Sequence, residues 1–183
     1  MENKKIAVIV GSLRKESFNR KIANEMIRLA PKSLKLEIVE IGNLALYNED
    51  LETDTPKEWI DFRKKIAASD GILFVSPEYN RTIPGALKNA IDVGSRPSGK
   101  SVWIGKPGAV ATASPSGVGG FGANHNIRQA VVFLNIPMMQ QPEAYIGKVH
   151  ESFEKDGKTV IEKTEQFLSD FLLAYEKWIE QFK

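Results

Sequence analysis

Two polar segments carry the residue types and spacings that could do chemistry. The first, Gly11-Ser12-Leu13-Arg14-Lys15-Glu16-Ser17-Phe18-Asn19-Arg20, follows the apolar run Ile6–Val10 and precedes Ile22, Ala23, Met26, Ile27 and Ala30 at helical spacing. Hydroxyls, an amide, a guanidinium and the free N–H groups of a helix start converge there, a donor set that suits a phosphate. A polar turn with Ser17 as a simple N-cap accounts for the same residues equally well. The second, Ser76-Pro77-Glu78-Tyr79-Asn80-Arg81-Thr82-Ile83-Pro84, follows the apolar run Ile72–Val75 and leads into a helix with Ala86, Leu87, Ala90 and Ile91 on one face. It holds an aromatic, a carboxylate and an amide at the carboxyl end of a strand, where open parallel sheets place their ligands. Tyr79 read alone is an aromatic covering the edge of the core.

The elements that must position these loops alternate strand and helix. Ile6–Val10 and Ile72–Val75 are unbroken apolar runs, as expected of parallel strands covered on both faces. Residues 34–40 read as a second strand, 56–68 as a helix, 109–113 as a fourth strand, 126–134 as a helix, and a fifth strand is expected to begin near Ile136. Pro84 suits the first turn of a helix running to about Gly94. The last helix, 161–182, carries a wide apolar stripe from Phe167 to Phe182 that is expected to cover the first strand. At 183 residues and 42% hydrophobic content the chain has material for one sizeable core and is expected to form one domain.

The first loop lacks the Gly-x-x-x-x-Gly-Lys-Ser/Thr arrangement that cradles a triphosphate. In order and spacing, Gly11-Ser12-Leu13-Arg14 with Ser17 and Asn19, Pro77-Glu78-Tyr79-Asn80 through Asn89-Ala90-Ile91-Asp92, and Ser95-Arg96-Pro97 with Gly105-Lys106-Pro107 resemble the NADPH-dependent FMN reductase family. That family includes quinone, chromate and azo-dye reductases of the flavodoxin-like superfamily. The resemblance covers roughly residues 5–135 and departs at Val93, where many relatives carry tryptophan near a subunit contact.

The resemblance implies an α/β, flavodoxin-like three-layer sandwich with a five-stranded parallel sheet in the order 2-1-3-4-5. It implies that Ser12, Arg14, Ser17, Phe18 and Asn19 hold the phosphate end of FMN, while Pro77, Glu78, Tyr79 and Asn80 line the ribityl chain and ring edge. A third loop, 112–120, would contribute Ser114, Ser116 and Gly117. NADPH, or NADH, would be the hydride donor, and small-molecule oxidants such as quinones, azo compounds, chromate or free flavin the acceptors. A homodimer or homotetramer is implied as well. The redox chemistry belongs to the cofactor, so no catalytic side chain and no metal is expected. Lys15, Arg20 and Arg81 are the cations available to a nucleotide 2′-phosphate.

Gly117-Val118-Gly119-Gly120-Phe121-Gly122 also spells Gly-x-Gly-x-x-Gly, with Glu143 some twenty residues on. A dinucleotide fingerprint belongs in the first βα turn, which here is already built for phosphate, and Pro142 beside Glu143 reads as loop. These glycines are expected to let backbone approach a flat ring closely.

Charge and composition narrow the alternatives. Twenty-five Lys and Arg against 23 Asp and Glu leave +2, interleaved along the chain, so no basic stripe supports nucleic-acid binding. A one-electron flavodoxin carrier would be expected to be strongly acidic. A receiver domain needs an acidic cluster where this chain has Gly11-Ser12-Leu13. A flavin-free interaction module remains compatible with the fold. Cysteine is absent, which excludes thiol chemistry and fits a reducing compartment. His125 and His150 lie far apart, without companions at metal-ligand spacing, and read as surface residues. No apolar run has the length of a membrane span, residues 1–5 lack a signal-peptide core, and a cytoplasmic location is expected.

Overall fold

The computed structural model describes residues 3–182; Met1 and Glu2, within the stretch 1–5 expected to lack a signal-peptide core, lie outside the described residues. Five parallel strands form one sheet: β1 (Lys4–Val10), β2 (Leu34–Ile38), β3 (Gly71–Ser76), β4 (Gly108–Ala113) and β5 (Ala144–Ile146), in the order β2-β1-β3-β4-β5. Every residue of β3 and β4 is buried, which is why both read as continuous apolar or small-residue runs rather than as alternations.

Helices cover both faces. On one side α1 (Phe18–Leu29) and α5 (Glu162–Ile179) pack Ile22, Met26, Leu168, Phe171 and Leu172 against Val8, Val10, Leu73 and Val75. On the other, α2 (Lys57–Ala67), α3 (Gly85–Gly94) and α4 (Phe121–Val132) pack Trp59, Phe62, Leu87, Ile91 and Ile127 against Ala7, Ile9, Phe74 and Val110. The stripe on α5 therefore covers β1, as its spacing predicts, and reaches further. The Tyr175 hydroxyl, fully buried, lies 2.8 Å from the Ile72 carbonyl and 2.9 Å from that of Pro107, so it joins α5 to the starts of β3 and β4.

Two expectations fail locally. The chain does not enter the fifth strand at Ile136: Met138 makes a single bridge to Gly108, and the strand forms only at Ala144–Ile146, beside Ala111–Ala113. Pro137 and Pro142, which lack N–H donors, bracket the intervening stretch and keep it from a continuous ladder. The fourth helix begins at Phe121 rather than near Asn126, because Gly120 adopts a left-handed conformation (φ 78°) that turns the chain directly into the helix. Pro142 and Glu143 do lie in a loop, immediately before β5. Val93 is fully buried among the chain's own core residues, so the departure from tryptophan there alters internal packing rather than an outer face. No helix among the described residues is long and apolar enough to cross a membrane.

Replacing Tyr175 with phenylalanine keeps the ring and removes the hydroxyl between two buried carbonyls. The expected cost is about 1–2 kcal/mol in denaturant-induced unfolding, with unchanged secondary structure by circular dichroism.

Candidate functional site

The register Ile6↔Gly71 through Val10↔Val75 brings the carboxyl ends of β1 and β3 level. The Gly11 N–H continues the ladder by donating to the Val75 carbonyl at 2.9 Å. A Cβ at Gly11 would collide with the Ser76 side chain, so glycine is what permits the first loop to leave beside the second. The first loop then closes on α1: Ser17 is its N-cap, with Oγ accepting from the Arg20 N–H at 3.2 Å.

This N-cap does not exhaust the loop's polar groups. Ser12, Ser17 and Asn19 are each at most 3% exposed. The Asn19 side-chain amide donates to the Ala113 carbonyl at the end of β4 (3.1 Å), and its Oδ1 is buried with no hydrogen-bond partner among the described residues. An orphaned buried acceptor is costly unless something completes it. Arg14 stands exposed on the rim.

A narrow cleft of about 130 Å³ lies where three loops meet. Ser12, Arg14, Ser17, Phe18 and Asn19 form one wall, Pro77, Glu78 and Tyr79 a second, and Ala113, Ser114 and Pro115 a third. Nine of the twelve candidate residues thus share one cavity; Asn80, Ser116 and Gly117 belong to the same loops but not to its walls. The buried Ser12 and Ser17 hydroxyls, the first-turn N–H groups of α1 that the Ser17 cap does not take up, and an exposed guanidinium make a set that fits a phosphomonoester such as the phosphate of FMN.

The second loop is more ordered than its sequence implies. Tyr79 and Thr82 exchange backbone hydrogen bonds of 3.1 and 3.0 Å, and Asn80 and Arg81 between them both have positive φ (50° and 66°). This is a two-residue hairpin turn of the primed kind, made without the usual glycine. Asn80 tolerates the left-handed region, whereas Arg81 holds it at a cost of about 1–2 kcal/mol. The turn leaves Tyr79 and Arg81 exposed.

The third loop answers the question of its glycines differently from the sequence reading. At Gly119 (φ 63°) a Cβ would meet the backbone of Tyr145, Ile146 and Gly147, and at Gly120 it would meet Thr112. Gly117 has open space around it. Close approach is therefore demanded at Gly119 and Gly120 by the neighbouring strands, not by the cleft. The distal part of the loop is also tied to the turn after β5, with the Lys148 N–H donating to the Ser116 carbonyl at 2.9 Å.

Arg20 is not available to a nucleotide phosphate. Its guanidinium makes a two-pronged contact with Glu40 (2.8 and 2.7 Å), which raises the arginine pKa and lowers that of the carboxylate. Lys15 and Arg81 remain exposed, Arg81 with one long 3.5 Å approach to Glu78.

One cluster escaped the sequence reading because it joins two elements. At the start of α4 the rings of Phe121 and His125 lie 4.2 Å apart, and Phe121 lies 5.4 Å from the Tyr145 ring on β5. The Tyr145 hydroxyl donates to Glu143 at 2.7 Å and sits 3.1 Å from His125 Nε2. The i, i+4 pair Phe121/His125 was the only available signal. His125 is exposed, as its sequence context suggests.

Comparison with known proteins identifies the class this architecture defines. The sequence model described as NADPH-dependent FMN reductase matches residues 4–151. The chain belongs to that family, and it is a flavin-dependent oxidoreductase using FMN with NAD(P)H. It is 57% identical over 176 residues to a quinone reductase of Pseudomonas putida, covering 96% of this chain and 94% of that one. To a 2-hydroxy-1,4-benzoquinone reductase of a Burkholderia species it is 43% identical over 175 residues, covering 96% of each. Its fold matches the flavoenzyme NAD(P)H:(acceptor) oxidoreductase FerB from Paracoccus denitrificans with a TM-score of 0.91, 41% identity and 98% of both chains covered.

Partial burial and, after it, the hydrogen bond to Glu143 push the Tyr145 phenol up to about 12. A raised pKa means the neutral phenol is favoured in the folded state, so its contribution to stability is complete below about pH 10 and fades as pH rises towards 12. Glu143→Gln is expected to bring the Tyr145 titration down, seen as phenolate absorbance developing at lower pH; an unchanged titration would show that the carboxylate has no hold on the phenol.

Proposed function

We propose that this chain is an NAD(P)H:quinone oxidoreductase built as one flavodoxin-like domain over residues 1–183. The observation that carries the reading is the convergence of three loops on one cleft, where the buried Ser12 and Ser17 side chains lie beside the start of α1. Ser12, Arg14, Ser17, Phe18 and Asn19 would hold the FMN phosphate. Pro77, Glu78, Tyr79 and Asn80 would line the ribityl chain and ring edge, with Ser114, Ser116 and Gly117 opposite. Quinones as acceptors are supported by the similarity to a quinone reductase and to a 2-hydroxy-1,4-benzoquinone reductase. Azo compounds, chromate and free flavin are proposed as further acceptors on chemical grounds, since an open redox face accepts many oxidants.

When bound, FMN supplies the two-electron chemistry, accepting hydride from the reduced nicotinamide and returning it to the oxidant. The chain's own contribution is binding and orientation. Ser17 caps α1 where it borders the cleft, Asn19 ties α1 to the end of β4, and the 79–82 hairpin fixes where Tyr79 stands. No acid, base or nucleophile of the chain is required. Lys15 and Arg81 are the cations left to favour NADPH over NADH.

Assembly as a homodimer or homotetramer in the cytoplasm completes the proposal. Beside α3, a groove of about 470 Å³ is bordered by Ile104 and Phe133, which are 57% and 94% exposed. Apolar side chains so exposed on a surface groove fit a contact with a second copy. Light scattering at micromolar concentration is expected to give at least a dimer mass; a monomer would remove this part of the proposal.

Arg14→Ala is expected to weaken FMN binding by about 1.5–3 kcal/mol, the range for a hydrogen bond to a charged group. Calorimetry showing unchanged affinity would take Arg14 out of the site.

If donor and acceptor use one face in turn, reciprocal-rate plots for NADPH at several fixed benzoquinone concentrations are expected to be parallel. Intersecting lines would require both to be bound at once and would overturn the shared face.

A further inference from the structure

Helix α4 starts without a cap of its own. Its N-cap residue is Gly120, which has no side chain to offer the first-turn N–H groups. The missing acceptor comes from another loop: Glu78 Oε2 accepts from the Ala123 N–H at 3.0 Å, across 45 residues of sequence. The Glu78 side chain is only 11% exposed, and its negative charge sits at the positive end of a twelve-residue helix. Packing leaves no slack around this contact. A Cβ at Gly122 would lie 2.6 Å from the Arg81 carbonyl and 2.8 Å from Glu78 Oε2, so the 79–82 turn and the first turn of α4 touch backbone to backbone.

The third loop, Ser114–Gly120, is the segment that α4 anchors at its far end. The hairpin that follows Glu78 belongs to the second loop. One carboxylate therefore joins the two loops that would enclose the ring side of the flavin.

We infer that Glu78, besides standing in the cleft wall, is a positioning residue: its carboxylate caps α4 in trans and makes the second and third loops one rigid wall. This rests on the FMN reading above. Without the cap, the third loop and the 79–82 turn lose their common reference, and FMN must itself hold them in place on binding, which weakens its affinity.

The test compares wild type, Glu78→Gln, Glu78→Ala and Gly122→Ala, each stripped of flavin and titrated with FMN. Dissociation constants come from flavin fluorescence, the environment of the bound ring from visible circular dichroism, and folding of each apoprotein from far-ultraviolet circular dichroism. The Gln amide oxygen can accept the same N–H, so Glu78→Gln is expected to bind FMN within about threefold of wild type. Glu78→Ala is expected to bind about tenfold more weakly, the scale of a lost helix cap, with an altered visible spectrum. Gly122→Ala, which keeps the carboxylate but forces the turn off the helix, is expected to resemble Glu78→Ala. Wild-type affinity and spectrum in Glu78→Ala would overturn the inference. So would a Gln variant as impaired as the Ala variant, because the charge itself would then be acting on the ligand. Should Glu78→Ala fail to fold, the Gln and Gly122 variants decide by the same criteria. Failure of the wild type to bind FMN at all would strike the proposed function, not the role of Glu78.

Discussion

The adjacency of β1 and β3 is the constraint on which the site depends. The order β2-β1-β3-β4-β5 reverses direction of growth between those strands, and connections leaving a parallel sheet on opposite sides open a crevice at such a point. Here the crevice is shaped by three local conditions. Gly11 lets the first loop pass the Ser76 side chain, Asn19 bonds across to the end of β4, and Glu78 holds the start of α4. Each draws a loop towards its neighbour, and each lies at the carboxyl end of a strand. The core below supplies rigidity, with β3 and β4 buried on both faces and fixed from underneath by Tyr175.

The charges around this crevice divide by burial. The polar groups of the first wall, Ser12, Ser17 and Asn19, are neutral and almost fully buried, and the buried Glu78 carboxylate of the second wall is engaged by the start of α4. The cations sit where water can screen them: Arg14, Lys15 and Arg81 are exposed, while Arg20 is already neutralised by Glu40. A guanidinium sealed into the cleft without a partner would carry a large desolvation cost. Oriented dipoles inside and a cation on the rim avoid that cost and still favour an anion, through the helix N-terminus and the buried donors.

What could be read from the sequence follows from how local each signal is. The first four strands and the first and second loops are legible because burial leaves apolar runs and because Pro84 and Ser17 mark helix starts. The strand order came from family resemblance, since nothing in the alternation itself says that β1 lies between β2 and β3. The fifth strand was misplaced by about eight residues because Ile136 continues the apolar pattern, whereas the ladder is set by prolines and by the reach of β4. The start of α4 was missed because a left-handed Gly120, not a polar N-cap, begins it, and its cap lies at Glu78 in a different loop. The 79–82 turn was hidden for a related reason: Asn-Arg replaces the Asn-Gly that announces such turns.

The same comparison explains the glycine-rich segment 117–122. As a string it satisfies a dinucleotide fingerprint, yet in the structure three of its four glycines are crowded by protein, while Gly117 stands in open space. Gly119 meets the backbone of β5, Gly120 meets Thr112, and Gly122 meets Glu78 and the Arg81 carbonyl. A fingerprint glycine earns its place by letting backbone approach a pyrophosphate; these are required because two strands and a hairpin crowd the entrance to α4. That crowding is functional in an indirect way. It lets the third loop be short and tightly anchored, so the wall it presents to the cleft is set by the sheet and by Glu78 before any ligand arrives. In a protein whose cofactor carries the reaction, such preorganisation is the main means by which the chain can influence the chemistry.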